Sequence, residues 1–400
     1  MPAYIRTIET LPPPYRYNQD LIREQMKEQV AEDEVQKRLI HAIYSRSGIK
    51  HRHSVLPDFQ DAGVCLLYEG TDFSAPGTSA RNRVYEEEAR KLYTGLARKL
   101  LEKSNGLKPE SVTHLITISC TGFYAPGPDY DVIRALGLSP RTERYHLCFM
   151  GCYASLPGLK LASRICETEP DAVVLVLSVE LCTLHFQGGL TTDDLISASV
   201  FADGAAGAIV TGHQPDENRH FRIRGFESVI LSEGADQMAW TIGDHGFNMV
   251  LSSYIPDILA RNLNPFLDQA LDHLHINRDQ IDRWALHPGG RAIIDRAEKS
   301  LCLPAEALAP SRTVLSEYGN MSSATLLFVL KEMLEHTEPE QEEETVMAMA
   351  FGPGITFESG LFSLIRTLEE SRGAGEKHGS STARDRGRAL NRRKPDAQRA

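Results

Sequence analysis

Apolar positions recur along this chain in two registers. Between residues 20 and 46, Leu21, Ile22, Met26, Val30, Val35, Leu39, Ile40 and Ile43 follow an approximate 3.6-residue period among charged neighbours, which predicts helix. Further on the pattern becomes a series of short β-branched runs separated by helical stretches. "HLITISC" (114–120), "AVVLVLSVE" (172–180) and "GAAGAIVTG" (204–212) read as strands, apolar enough to be buried on both faces. An α/β fold layered around a buried sheet is the expectation.

The second half repeats the order of the first. "RWALHPGG" (283–290) is a strand running into a Gly-Pro turn, "GNMSSATLLFVLKEM" (319–333) a turn entering a helix, and "TVMAMAFGPG" (345–354) a strand entering a turn. "ITFESGLFSLI" (355–365) closes the set. Cys120 and Cys152 stand 32 residues apart, and His287 and Asn320 stand 33 apart. Each half thus puts one residue at a strand end and another at a helix start, so an internal duplication would bring all four to one cleft. The division expected is one half over 1–215 with the cysteine, a second over 216–370 with the histidine and asparagine, and a tail over 371–400.

Two cysteines compete for a chemical role. Cys152, between Gly151 and Tyr153, leads into an apolar helical face of Leu156, Leu159, Leu161 and Ala162, with Pro157 tolerated in the first turn. A cysteine at a helix start meets unpaired N–H groups and a dipole that favour thiolate. Cys148, in the strand-like "RYHLCFM", is expected to stay neutral and pack. An inert buried thiol remains the alternative for Cys152. His287 is either a core histidine satisfied by a backbone carbonyl or a partner of the thiol. Asn320 is either a helix cap or an oxyanion donor. A Cys-His-Asn set is one answer to acyl transfer.

Composition narrows the classes. A chain of 400 residues with 42% hydrophobic content can bury a large core, and its net charge of −11 argues against nucleic acid as a partner. Seven cysteines without a CxxC pair, and no HExxH, give little support to disulfides or to a zinc site. No apolar run reaches bilayer length and the first residues lack signal-peptide order, so a cytoplasmic protein without integral membrane contact is expected. Residues 371–400 carry nine Lys/Arg against three Asp/Glu and few apolar side chains, the composition of a disordered basic tail.

The motifs "GCYAS", "FADGAAG", "ALHPGG", "SEYGNMSSA" and "AFGPGITFESG" resemble, in order and spacing, those of the type III polyketide synthases, the chalcone-synthase-like family, over about residues 1–366. The resemblance implies a homodimer of thiolase-like fold, with duplicated halves in an α-β-α-β-α arrangement. It implies an acyltransferase that takes acyl-CoA and malonyl-CoA as substrates and needs no metal or other cofactor. Cys152 would hold the acyl chain, His287 and Asn320 would be its partners, and Phe201 the gatekeeper, with Arg46, Lys50 and Arg52 near CoA. Among the cavity positions, Ser322 and the loop Phe351, Gly352, Pro353 and Gly354 keep the family pattern, with Ala350 in place of its first glycine. Others depart from plant members. Cys120, Cys182 and His185 replace threonines, Trp240 a glycine, Met249 a phenylalanine, and Ala125 a methionine that reaches across the dimer. Cys148 stands where plant relatives carry a tyrosine. Such a reshaped cavity is similar to that of bacterial members which extend long fatty acyl-CoA starters to alkylpyrones or alkylresorcinols. The alternatives are an enzyme using aromatic or short starters, a condensing enzyme of the β-ketoacyl-carrier-protein synthase III kind, and a silent binding protein of the same fold.

Overall fold

The computed structural model describes residues 2–59, 65–68, 73, 75–231, 236–336 and 341–366. The expected tail, 371–400, lies outside the described residues. Thirteen strands are defined: β1 (Ala3–Leu11), β2 (Tyr15–Asn18), β3 (His51–Ser54), β4 (His114–Ser119), β5 (Glu143–Cys148), β6 (Val173–Leu181), β7 (Asp203–Thr211), β8 (Arg219–Ile230), β9 (Met238–Gly243), β10 (Gly246–Leu251), β11 (Arg283–Leu286), β12 (Glu343–Gly352) and β13 (Thr356–Arg366). The helices are α1 (Gln19–Gln29), α2 (Glu34–Arg46), α3 (Thr78–Lys103), α4 (Pro128–Leu136), α5 (Ser155–Thr168), α6 (Thr192–Val200), α7 (Ile255–Leu274), α8 (Arg291–Ser300), α9 (Ala309–Tyr318) and α10 (Thr325–His336).

Nine strands form one mixed sheet in the order β11-β12-β13-β8-β1-β7-β6-β4-β5. Its two halves repeat. In the first, β7 is antiparallel to both β1 and β6, and β6 is parallel to β4. In the second, β13 is antiparallel to both β8 and β12, and β12 is parallel to β11. The halves meet where β1 pairs antiparallel with β8. Cys120 follows β4 and His287 follows β11, so the duplication read from spacing corresponds to equivalent strands.

The core explains the layers. Apolar residues of α3 pack on one face of β4, β6 and β7. Those of α7 and α8 pack on β11, β12 and β13. A third cluster takes α5 and α10 between strands of both halves, which makes the sequence of layers α-β-α-β-α. Every residue of β6 is buried, so its apolar run does not alternate.

Two local expectations change. The helix-prone stretch 20–46 is divided in two, because the Asp33 side chain accepts from Val35 N–H and Gln36 N–H and starts α2 afresh. β5 is one edge of the sheet, with β11 the other, rather than a packed strand, and Cys148 at its end is exposed. Among the described residues no helix is long and apolar enough to cross a membrane.

Candidate active site

The structure brings Cys152, His287 and Asn320 together around a pocket of about 40 Å³. Cys152 lies on the turn that precedes α5, which begins at Ser155, so the thiol stands three residues before the helix and not at its first residue. Gly151 makes that turn possible. Its φ is +87°, and a Cβ added there would sit 2.4 Å from Cδ of Pro353. A Cβ on Gly352 would meet the Tyr153 ring at 2.5 Å, so the Phe351–Gly354 loop lies directly against the cysteine turn.

Asn320 is placed by two backbone bonds that join its strand segment to the end of α6. Its N–H donates to the Val200 carbonyl (2.8 Å), and its carbonyl accepts from Ala202 N–H (2.8 Å). Its side chain divides between two partners. Oδ1 accepts from Ser322 N–H (2.9 Å), which caps the turn before α10, and Nδ2 donates to the Gly289 carbonyl (3.2 Å). The amide also interacts with the Cys152 thiol.

His287 follows β11 and is buried, yet among the described residues neither ring nitrogen has a hydrogen-bond partner. The reading of a core histidine satisfied by a backbone carbonyl is therefore wrong. A buried imidazole left open on both nitrogens, facing a pocket with a thiol, is arranged for an incoming group.

Burial favours the neutral forms. It pushes the Cys152 thiol up to about 12, against the smaller opposing effects of Ser322 and Asn320. The same desolvation pulls His287 down to about 3. The expected lowering of the thiol by a helix start is thus outweighed in the closed pocket. Charging either group alone is unfavourable.

A second cavity of about 340 Å³ opens beside the first. Cys120, Phe201, Trp240, Met249 and Ser322 line both. Trp240 on β9 is paired with Met249 on β10, and its indole N–H donates to the Cys120 carbonyl at 2.6 Å. His185 is a fixed wall. Its Nδ1 accepts from Phe247 N–H (3.1 Å), so Nε2 donates to the Thr121 carbonyl (2.8 Å), and the ring stacks on Phe247 at 4.1 Å. Cys182 lines this cavity too, and burial raises its thiol and that of Cys120 far above the usual range.

One participant escaped sequence reasoning. Glu180, fully buried at the end of β6, accepts from Cys120 N–H (2.9 Å), Thr121 Oγ1 (2.9 Å) and the Ser323 hydroxyl, while burial raises its pKa. It fixes the turn that presents Cys120. The visible signal was a carboxyl closing an otherwise apolar strand, "VVLVLSVE".

Other expected residues lie elsewhere. Phe351 and Pro353 line the small pocket, while Gly354 is held by its N–H on the Met238 carbonyl (3.0 Å). Ala125 is exposed and lines neither cavity of this chain. Arg46 and Lys50 are exposed near Gly48, which packs against Arg291 at the start of α8. Arg52 is not a surface cation. It is buried, and its Nη1 donates to the carbonyls of Ala198 (2.7 Å) and Phe201 (2.8 Å), so it holds the backbone of the expected gatekeeper.

Residues 3–215 match the family model described as chalcone and stilbene synthases, N-terminal domain, and residues 225–366 match that family's C-terminal domain. The chain is 30% identical over 371 residues to a putative chalcone synthase of Bacillus subtilis (strain 168), covering 90% of this chain and 98% of that protein. It is 34% identical over 255 residues to the alpha-pyrone synthesis polyketide synthase-like Pks18 of Mycobacterium tuberculosis, covering 63% of this chain and 65% of that one. Among solved structures, PKS-I from the brown alga Ectocarpus siliculosus superposes with a TM-score of 0.84 at 29% identity, covering 91% of this chain and 98% of its own. The type III polyketide synthase domain of Steely1 from Dictyostelium shares the fold, with a TM-score of 0.83 at 24% identity over 91% of this chain and all of that one. With both domains of one family matched across the layered core, and a cysteine, a histidine and an asparagine converging on one pocket, this chain belongs to the chalcone and stilbene synthase family, the type III polyketide synthases, transferases that work by decarboxylative condensation.

Proposed function

We propose that Cys152 carries the growing chain, that His287 and Asn320 serve its chemistry, and that the starter is a long-chain fatty acyl-CoA extended with malonyl-CoA to pyrone or resorcinol products. The observation that carries the starter is the cavity of about 340 Å³ that shares five walls with the catalytic pocket and continues past Ile22, Met26, Phe59 and Phe186. Its volume is at the lower end of the range of ligand sites, about 300–1,000 Å³, and its far walls are largely hydrocarbon. The similarity to the mycobacterial alpha-pyrone protein supports the same class of product.

The chemistry follows from the pocket. As Cys152 sulfur attacks the starter carbonyl, its proton passes to His287, and the oxyanion is met by the imidazolium and the Asn320 amide. The bond from the acyl carbon to CoA sulfur breaks, and CoA leaves with the proton from His287. Malonyl-CoA then binds, its carbon–carboxylate bond breaks, carbon dioxide leaves, and the electron pair becomes an enolate held by the same two donors. Phe201 sets an apolar face against the carboxylate, which favours its loss. The enolate carbon attacks the Cys152 thioester and releases the thiolate, and the lengthened chain returns from CoA to Cys152. Arg46 and Lys50, both exposed, suit the phosphates of CoA, and no metal or other cofactor enters any step.

The free edge of β5 suits a homodimer in the cytoplasm, its strand pairing with the same strand of a second copy about a two-fold axis. Light scattering of the purified chain measures its mass, and a monomer would contradict this. Mass spectrometry of products from malonyl-CoA and a panel of starters tests the rest. Turnover of fatty acyl-CoAs of about eight to eighteen carbons is expected, and turnover of aromatic CoA esters alone would refute the assignment.

A further inference from the structure

Three polar groups stand in the wall of the larger cavity: among the described residues Arg52 Nε and Ser197 Oγ are buried without a hydrogen-bond partner, and Tyr44 Oη meets only the Arg52 side chain, so its own proton has no acceptor. They come from α2, β3 and α6, which meet behind Phe201. The side chains are neighbours. The Arg52 guanidinium carbon lies 5.9 Å from the centre of the Tyr44 ring, and Arg52 Nη1 is bonded to the carbonyl of Ala198, next to Ser197. Tyr44 is 2% exposed and Arg52 9%.

Arg52 is a buried cation with no ion pair among the described residues, its Nη1 bonds going to neutral carbonyls. Asp203, the carboxylate that acts on it, already accepts from Val55 N–H (2.9 Å), Thr183 N–H (2.8 Å) and Thr183 Oγ1 (2.7 Å). Leaving such groups unmatched costs about 1–3 kcal/mol each, and more where one is charged. Two hydroxyls and a guanidinium N–H converging on one space call for an acceptor oxygen, and the apolar walls of Ile22, Met26 and Phe59 in the same cavity call for a chain attached to it.

We infer that the larger cavity receives an acyl chain whose far end carries an acceptor oxygen, a carboxylate or a hydroxyl, held by Arg52, Tyr44 and Ser197. This rests on the acyl-chain reading of the cavity given above and adds the chemistry of the chain's other end. The charge on Arg52 favours the carboxylate.

The test compares plain, ω-hydroxy and ω-carboxy acyl-CoAs of equal length as donors to Cys152. CoA release gives kcat/KM, and intact-protein mass gives loading. In the wild type an ω-oxygenated chain is expected to exceed the plain one about tenfold, the worth of one hydrogen bond to a charged group. Tyr44→Phe and Ser197→Ala, which delete single hydroxyls, are each expected to cut that ratio about threefold. The arm with the larger wild-type preference distinguishes carboxylate from hydroxyl. A wild type that loads plain chains with no preference, or variants that leave the ratio unchanged, would overturn the inference while sparing the starter assignment. Failure of every acyl-CoA to load Cys152 would overturn both.

Discussion

His287→Gln leaves a side chain of similar reach that cannot take a proton, and so isolates the Cys152 thiol. Burial sets that thiol at about 12, so at pH 7 only about one molecule in 10⁵ is thiolate, against a few per cent for an ordinary exposed cysteine. On the proposed mechanism His287 takes the proton as the sulfur attacks, so no free thiolate has to accumulate. A positioned general base of this kind is worth about 10²–10⁴ in rate. The assay is alkylation of Cys152 by iodoacetamide, followed by intact mass across pH 6 to 10. The variant is expected to react about 10²–10³ times more slowly at pH 7. Its rate should rise about tenfold per pH unit to the top of the range, whereas the wild-type rate should level off earlier. Equal rates and matching pH profiles in the two proteins would refute the pairing of Cys152 with His287.

Asn320→Asp keeps the acceptor for Ser322 N–H but sets a buried carboxylate beside the Gly289 carbonyl and the sulfur, so kcat for malonyl-CoA decarboxylation should fall about 10²–10³-fold, with a lower Tm from the unpaired charge. Gly151→Ala forces a Cβ into the Pro353 ring at a φ of +87°, which should cost about 2 kcal/mol or more, seen as a lower Tm together with lost acylation. Trp240→Ala removes the bond to the Cys120 carbonyl, worth about 1 kcal/mol, and widens the junction of the two cavities. Competition between starters should then shift toward aromatic CoA esters, and an unchanged preference would show that Trp240 does not shape the cavity.

The sequence revealed what depends on local period and on short motifs. β4, β6, β7, β11, β12 and β13 announce themselves as β-branched or small-residue runs, and the nearly equal spacings from Cys120 to Cys152 and from His287 to Asn320 record equivalent places in two halves. Features fixed by long-range packing were hidden. Cys148 lies in an apolar-looking stretch, but nothing local shows that its strand is an edge of the sheet. Arg52 sits in a basic cluster, and only the fold shows that its charge is enclosed beneath Phe201. The start of α5 at Ser155 is set by the Gly151 turn against Pro353, a contact across about 200 residues of chain. β8–β10 were not marked, because their polar and apolar residues mix where part of each strand is uncovered, and β1 was not, because Arg6, Thr7, Glu9 and Thr10 interrupt its buried run. Tyr44 and Ser197 carry no motif at all and matter only through the cavity they share.

The central claim is that Cys152, and no other thiol of the site, takes the acyl chain. Incubation with a saturated fatty acyl-CoA, followed by intact mass and peptide mapping, measures this directly. One acyl group per chain, located on Cys152 and released as one equivalent of CoA, is the predicted result. An acyl group on Cys120 or Cys182, or a Cys152→Ala protein that still loads the chain and makes full-length product, would contradict the account.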